Sequence, residues 1–350
     1  MDETDQTLAL QDQLVAASGR GQCVFVRGGG SKPFYGRGVG AADVLDISGH
    51  IGIIDYQPSE LMVRVRSGTP LTGLITRLAE ERQMLAFEPP VYDAVSTVGG
   101  AIACGLSGPG RPWRGAIRDH LLGTSLLTGD GRHLVFGGQV MKNVAGYDVS
   151  RLLAGSLGVL GVILDVSLKV VPLPEREITL VQDLDKVAAY HVMRKLSRTN
   201  RPVTGMMHHD NLLAIRLSGS EAGVSMAAKN IGGEITEGDI WDRIKHQRLS
   251  ILTGCDYLWR ISAPPAHEAF LSESSVIDWG GAVRWLCDPP FNPLDYLPEG
   301  VHGTLFRRPD NYQGEVFTRP APVVQEIHKN LKRTFDPAAV LNRGHLFSWL

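Results

Sequence analysis

Apolar positions in the first half of the chain fall in short alternating runs separated by glycine- and proline-marked turns. A polar helix is expected over about 6–18, from Gln6-Thr7-Leu8 onward, then a short strand Cys23-Val24-Phe25-Val26. Further strands are read at Val44–Ile47, Gly52–Tyr56 and Leu61–Arg66, with Ser48-Gly49-His50 and Gln57-Pro58 as turns. Pro70 opens an amphipathic helix to about Gln83. Leu71, Leu74, Ile75 and Leu78 recur there at helical spacing, and proline in a first turn costs no hydrogen bond. Strands His120–Leu127 and His133–Phe136 flank Thr128-Gly129-Asp130-Gly131, whose Asp-Gly pair signals a hairpin. Gly161–Val171 alternates and ends in Pro172-Leu173-Pro174, which reads as a domain boundary.

The second half has another rhythm. Ile178–Gln182 is read as a strand, Leu184–Ser197 as a helix, Val203–His208 and Leu212–Leu217 as strands, and Glu221–Asn230 as a helix. A similar order recurs with strand Tyr257–Ile261, helix Ala266–Ser272, and strands Val276–Trp279, Ala282–Leu286 and Val301–Phe306. Such βαββαβ-like repetition predicts an α+β layer of antiparallel strands with helices on one face. After Pro322 a helix runs to about Phe335, and the tail 336–350 is irregular.

Composition narrows the function. The 43% hydrophobic and 21% charged content is that of an ordinary globular protein, and a net charge of -2 argues against nucleic acid or an anionic membrane as the main partner. No basic-then-apolar leader and no spanning apolar stretch are read, so a cytoplasmic protein is expected. The 4 cysteines, Cys23, Cys104, Cys255 and Cys287, form no CxxC pair. They are expected to be small, reduced and buried, and not ligands of an iron–sulfur cluster.

Glycine changes the picture most. There are 40 glycines in 350 residues, about 11% against a usual 7% or so, and they cluster before Gly161. Arg27-Gly28-Gly29-Gly30-Ser31-Lys32 follows directly on a strand. Ser96-Thr97-Val98-Gly99-Gly100-Ala101 opens a second small-residue stretch that continues through Gly105-Leu106-Ser107-Gly108-Pro109-Gly110. Amides in such turns can converge on adjacent phosphates, because glycine leaves the backbone approachable. Common phosphate motifs do not fit. GxGxxG from Gly28 fails at Pro33, no GxxxxGK[ST] occurs, and the GxGxxA match at Gly36–Ala41 follows no clear strand. Any one glycine segment is equally explicable as a plain loop or as close packing; three beside strand or helix starts in one domain point to a dinucleotide.

The blocks Val26–Tyr35, Ser96–Gly110, Ile117–Gly123 and Lys142–Leu168 resemble the FAD-binding domain of the vanillyl-alcohol oxidase / p-cresol methylhydroxylase (PCMH) type. Met141–Asp148 (MKNVAGYD) and Leu152–Ile163 (LLAGSLGVLGVI) are the most specific segments. Over its whole length the chain is similar to the FAD-binding subunits of bacterial glycolate oxidases. The resemblance implies an α+β fold: a two-subdomain PCMH-type FAD-binding domain over 1–175, a smaller ferredoxin-like cap over 176–310, and a C-terminal helix and tail, 311–350, returning to the FAD domain. It puts the pyrophosphate against Arg27, Gly28, Gly29, Gly30, Ser31 and Lys32 and against Ser96, Thr97, Val98, Gly99 and Gly100. Gly105, Ser107 and Gly108 would run beside the flavin and its ribityl chain, and Gly161, Val162 and Ile163 would contact the adenosine side. Asn143, Gly146 and Tyr147 would form part of the isoalloxazine wall. An Arg118-Asp119 pair would order a loop, with His120 a structural histidine beside it. The 27–35 loop holds no histidine, so the FAD is expected to be non-covalent.

Oxidising a 2-hydroxy acid also needs a base and a cation for the carboxylate. The histidine cluster of related D-2-hydroxy-acid dehydrogenases is missing. His208 and His209 are adjacent on a strand and point to opposite faces, so no metal is expected. His302-Gly303-Thr304-Leu305-Phe306-Arg307-Arg308 resembles a stretch of the glycolate oxidase subunits. Its Arg307 and Arg308 could pair with a carboxylate or simply face solvent. Asp336-Pro337 to Asn342-Arg343-Gly344 resembles a family tail near the flavin, with Arg343 where proline is usual. No catalytic residue is assigned. The expected role is an FAD-bearing subunit with two partners, a larger paralogous FAD-containing catalytic subunit and an iron–sulfur subunit, and with only peripheral membrane contact. The competing readings are a stand-alone FAD-dependent 2-hydroxy-acid dehydrogenase and a scaffold with a decayed flavin site.

Overall fold

The alternating runs at 53–66 and 162–169 become neighbours in one sheet of the computed structural model, which describes residues 3–40, 42–138 and 148–350. Five antiparallel strands lie in the order Ile53–Gln57, Met62–Arg66, Val162–Lys169, Leu121–Leu127, His133–Gly137. The central strand Val162–Lys169 is buried along almost its whole length, because helix Leu71–Glu80 and the N-terminal layer cover its two faces. Leu71, Leu74 and Leu78 pack on one side with Val63, Val166 and Leu168. On the other, helix Thr7–Gly19 sets Leu10 and Leu14 against Val24, Leu45, Val162 and Leu341. A parallel pair, Val24–Arg27 with Asp43–Asp46, forms the edge of that second layer.

The sequence's repeated order beyond residue 175 is realised as one eight-stranded antiparallel sheet. Its first half runs Glu234–Thr236, Arg176–Asp183, Leu212–Gly219, Val203–His209; its second runs Val276–Asp278, Val283–Cys287, Leu258–Ser262, His302–Arg307. Each half has the ferredoxin-like strand order, and the halves join where His208 pairs with Ile277. Helices Lys186–Leu196 and Glu221–Ile231 cover the first half.

Two expectations are corrected. Residues 266–272 form turns instead of a helix. Tyr190 donates its hydroxyl to the carbonyls of Pro265 and His267, and Arg284 also donates to His267; these bonds take carbonyls that a helix would have used. Nor are all four cysteines reduced, since Cys255 and Cys287 form a disulfide while Cys23 and Cys104 are free. Pairing of Leu258 with Cys287 brings the two sulfurs together across 32 residues. Among the described residues no helix is long and apolar enough to cross a membrane.

Candidate functional site

The strand Val24–Arg27 ends in the glycine loop, and the loop forms one wall of a cavity of about 930 Å³. Gly28, Gly29, Gly30, Ser31 and Lys32 all line it. Among the described residues, none of their five amides donates to a protein acceptor. The loop lies tight against its neighbours. A Cβ on Gly28 would stand 2.4 Å from the Thr97 hydroxyl oxygen, and one on Gly29 only 1.5 Å from the carbonyl oxygen of Val95. The Lys32 ammonium, whose hydrogen bond goes to the neighbouring Ser31 hydroxyl, adds a positive charge. Free amides, a cation and glycine-width clearance together suit a pyrophosphate.

The opposite wall is the start of helix Val98–Cys104, capped by Thr97, whose hydroxyl accepts from the Gly100 amide. The amides of Val98 and Gly99 are already committed to the carbonyls of Thr69 and Ser67. Thr97, Gly99 and Gly100 therefore line the cavity, whereas Val98 points into the core. Ser96 is fully buried beside the loop and donates to the Ser31 hydroxyl. At the far side Gly161 and Ile163 reach the cavity, but the alternation of the strand sends Val162 into the N-terminal core. Gly105 has a different duty from the one expected. It caps the helix with φ 65° and lies against the backbone of Gly155, so its place is in packing.

Much of the cavity is built by the C-terminal tail that the family resemblance puts near the flavin, together with Lys332 and His345, which no motif marked. Helix Pro322–Phe335 delivers a buried clamp: the Lys332 ammonium donates to the Asp336 carboxylate at 2.6 Å and to the carbonyls of Leu341 and Val159 at 2.7 and 2.9 Å. Asp336 in turn accepts the amides of Val340 and Leu341. The clamp seats Asn342, whose side chain accepts from the Val26 amide and donates to the Leu157 carbonyl. Asn342 and His345 complete the wall with Arg308. His345 donates Nδ1–H to the Arg37 carbonyl at 2.6 Å, and burial lowers its pKa, so the ring is neutral. Arg308 donates to the carbonyls of Gly36 and Pro309, and Arg307 to that of Leu252. Arg343, in the proline position, is exposed.

At the end of the cavity lined by Tyr35 and Cys104, the aromatic pair Tyr35–Phe306 separates it from a second, narrow pocket. Ser107 and Gly108 line this second pocket, together with Tyr92, Arg260, Asp278 and Trp279. Burial pushes the Asp278 carboxyl up to about 7, against the hydrogen bond it accepts from the Trp279 amide. Next to it, Glu88 is fully engaged: it accepts from the Gly110 amide, from Arg114 at 2.8 Å and from Arg216 at 2.6 Å.

The remaining sequence candidates lie elsewhere. Asp119 orders its loop by accepting the Ala116 amide, Arg118 is exposed, and His120 Nε2 donates to the Arg114 carbonyl. His208 and His209 bond to the carbonyls of Leu184 and Ser275, and His302 is exposed. Asn143, Gly146 and Tyr147 lie outside the described residues.

Comparison with known proteins agrees with this geometry. The FAD binding domain family matches residues 4–137. The chain is 40% identical to the glycolate oxidase subunit GlcE of Escherichia coli (strain K12), over 99% of each chain. It is 31% identical to the glycolate oxidase subunit GlcD of Bacillus subtilis (strain 168) over 39% of this chain and 29% of the relative. With a D-lactate dehydrogenase of Anaerostipes hadrus it shares 29% identity over 41% of this chain and 30% of the relative. An alkyldihydroxyacetonephosphate synthase structure superimposes with a TM-score of 0.63 at 15% identity, covering 96% of this chain and 74% of that one. That likeness establishes the PCMH-type fold.

Proposed function

Because this chain belongs to the family of the glycolate oxidase subunit GlcE, we propose that it is the FAD-bearing redox subunit of a glycolate-oxidising complex. It is an FAD-dependent oxidoreductase subunit of the 2-hydroxy-acid class. The observation that carries the assignment of the site is the row of uncommitted amides from Gly28 to Lys32 on a cavity of about 930 Å³, near the upper end of small-molecule sites. In this reading the loop Arg27–Lys32 and the Thr97–Gly100 turn hold the pyrophosphate. Gly161 and Ile163 face the adenosine, and the isoalloxazine lies toward Tyr35 and Cys104. Residues 1–175 with the 311–350 tail form the FAD unit, and 176–310 the cap.

FAD, when bound, supplies two-electron redox chemistry. The chain's own part is to hold the phosphates, exclude water behind Tyr35 and Phe306, and seat the ring against the cap. A larger paralogous FAD-containing subunit is the partner that oxidises most glycolate, and an iron–sulfur subunit takes the electrons onward. Any membrane contact is peripheral, through those partners.

Purification of the chain alone tests the cofactor assignment, since a colourless protein under native conditions refutes it. Adding glycolate to the flavin-loaded chain, alone and with co-purified partners, tests the subunit assignment. Full-rate bleaching without partners would instead favour a stand-alone dehydrogenase.

A further inference from the structure

We propose that the narrow pocket beside the cavity is an anion site belonging to this chain, in which Arg260 takes the carboxylate of a small 2-hydroxy or 2-oxo acid. This inference rests on the reading that the larger cavity holds FAD. Arg260 lies on the strand next to the edge of the cap sheet, directly opposite Trp285 on one neighbour and Thr304 on the other. Asp278 lies one strand beyond Trp285, at the same parity, because Val276 pairs with Trp285. The pleat therefore aims Arg260, Trp285 and Asp278 at a common face, where they line one pocket.

The charge balance of that pocket is unfinished. Among the described residues the Arg260 guanidinium has no carboxylate partner, its Nε is buried without an acceptor, and the polar group facing it is the buried Tyr35 hydroxyl. A second guanidinium, Arg111, stacks at 4.5 Å on the Trp279 ring, with Arg260 6.0 Å from the same ring. Arg111 also lacks a salt bridge among the described residues. Burial, and then the charge of Arg260, lower its pKa. Asp119 offsets part of the Arg111 charge without forming a salt bridge to it, and the other nearby acids are committed elsewhere. Glu88 is held by Arg114 and Arg216. Asp119 accepts a backbone amide, and Asp278 is the one carboxyl in the lining, shielded by burial. Lys245, the other cation of the lining, is paired with Asp242.

Arg260 is half-buried with its Nε shut away from any acceptor; such a guanidinium is costly, and a carboxylate accepting its forked N–H groups relieves that cost. Asp278 then stands on the same face to accept the hydroxyl of a 2-hydroxy acid. The turn that presents these groups is unusual as well. Trp279, Gly280 and Gly281 have φ of 52, 64 and 98°, three successive left-handed residues held at a pocket. The pocket has a volume of about 10 Å³, the space of a single water. An acid enters only as side chains shift, which favours two-carbon acids over longer ones. Its wall, Tyr35–Phe306, is shared with the larger cavity, so a bound acid lies next to the proposed isoalloxazine.

The test is a titration of the full-length, flavin-loaded chain with oxalate, glycolate and D-lactate, followed by tryptophan emission and by the flavin absorbance band. Saturable changes with oxalate and glycolate are expected, weaker with D-lactate. Arg260→Gln should raise the Kd at least about tenfold, the loss of a charge-assisted contact, with flavin content unchanged. Arg260→Lys should fall between, and carries the comparison should the glutamine variant fail to fold. Trp279→Phe should reduce the emission change to the part that Trp285 in the same pocket supplies, while Arg198→Gln on the surface should leave binding as it was. A chain that retains flavin and responds to none of the acids, or an Arg260→Gln variant that binds like wild type, overturns the anion site. A chain without flavin refutes the cofactor reading instead.

Discussion

Removal of the Lys332 ammonium by Lys332→Met isolates the contribution of the C-terminal clamp. Its side chain is 6% exposed and that of Asp336 is 0% exposed, with 2.6 Å between nitrogen and oxygen. The variant leaves a carboxylate buried without its counter-charge and two carbonyls, of Val159 and Leu341, without their donor. Breaking one partner of a buried pair costs about 3–5 kcal/mol, a fifth or more of the total stability of an ordinary domain, roughly 5–15 kcal/mol. The loss should not stay local. Leu341 and Asn342 anchor the Val24–Val26 strand that leads into the glycine loop, so flavin retention should fall with stability. Urea unfolding followed by tryptophan emission, with the flavin-to-protein ratio after desalting, measures both. Asp336→Asn alone should cost a similar amount, and the double variant should cost clearly less than the sum of the two. Additive losses, or a Lys332→Met loss below about 1 kcal/mol, would refute the clamp.

Three further outcomes are expected. Gly29→Ala drives a Cβ to 1.5 Å from the Val95 carbonyl oxygen; overpacking against backbone costs about 1–3 kcal/mol or more and should lower flavin content sharply. Gly254→Ala, with nothing within 4 Å of the added carbon, should be neutral in the same assay. The folded-state pKa of Asp278, about 7, lies above its reference of 3.8, so the folded chain retains a proton that the unfolded chain releases between those values. Its contribution to stability is thus full below the lower value and lost as pH rises through the higher one. Between pH 5 and 8 that loss is on the order of 3 kcal/mol, and Asp278→Asn should flatten this part of the stability–pH curve in thermal unfolding. Glu88→Gln leaves Arg114 and Arg216 short of their shared counter-charge and should cost several kcal/mol, roughly 3–5 by the same rule for buried pairs, read by urea unfolding.

The sequence was most informative where one local rule governs. Period-two alternation located the cap strands, and their order foretold the paired ferredoxin-like halves. Glycines after a strand marked the loop that meets the cavity. Residues whose role depends on pairing across the fold were invisible. Nothing in the run Tyr257–Ile261 distinguishes Arg260, whose place follows from its partners Trp285 and Thr304. The tail's resemblance put Asn342 near the flavin, but its bonds to Val26 and Leu157 could not be read from the sequence. Helix-forming residues at 266–272 were overridden by hydrogen bonds from Tyr190 and Arg284. Gly105 and Val162 were drawn into the cofactor site by motif position, although packing and strand parity turn them away from it.

The bond from the Val26 amide to the Asn342 side chain spans 316 residues, and this separation sets an order of events during synthesis. A ribosome adding about 5–20 residues per second needs very roughly 15–60 seconds to pass from one residue to the other. Throughout that interval the glycine loop exists without the wall that Asn342 and His345 provide. Cofactor capture therefore follows translation of the cap, and a nascent chain halted before residue 336 should emerge flavin-free however much FAD surrounds it.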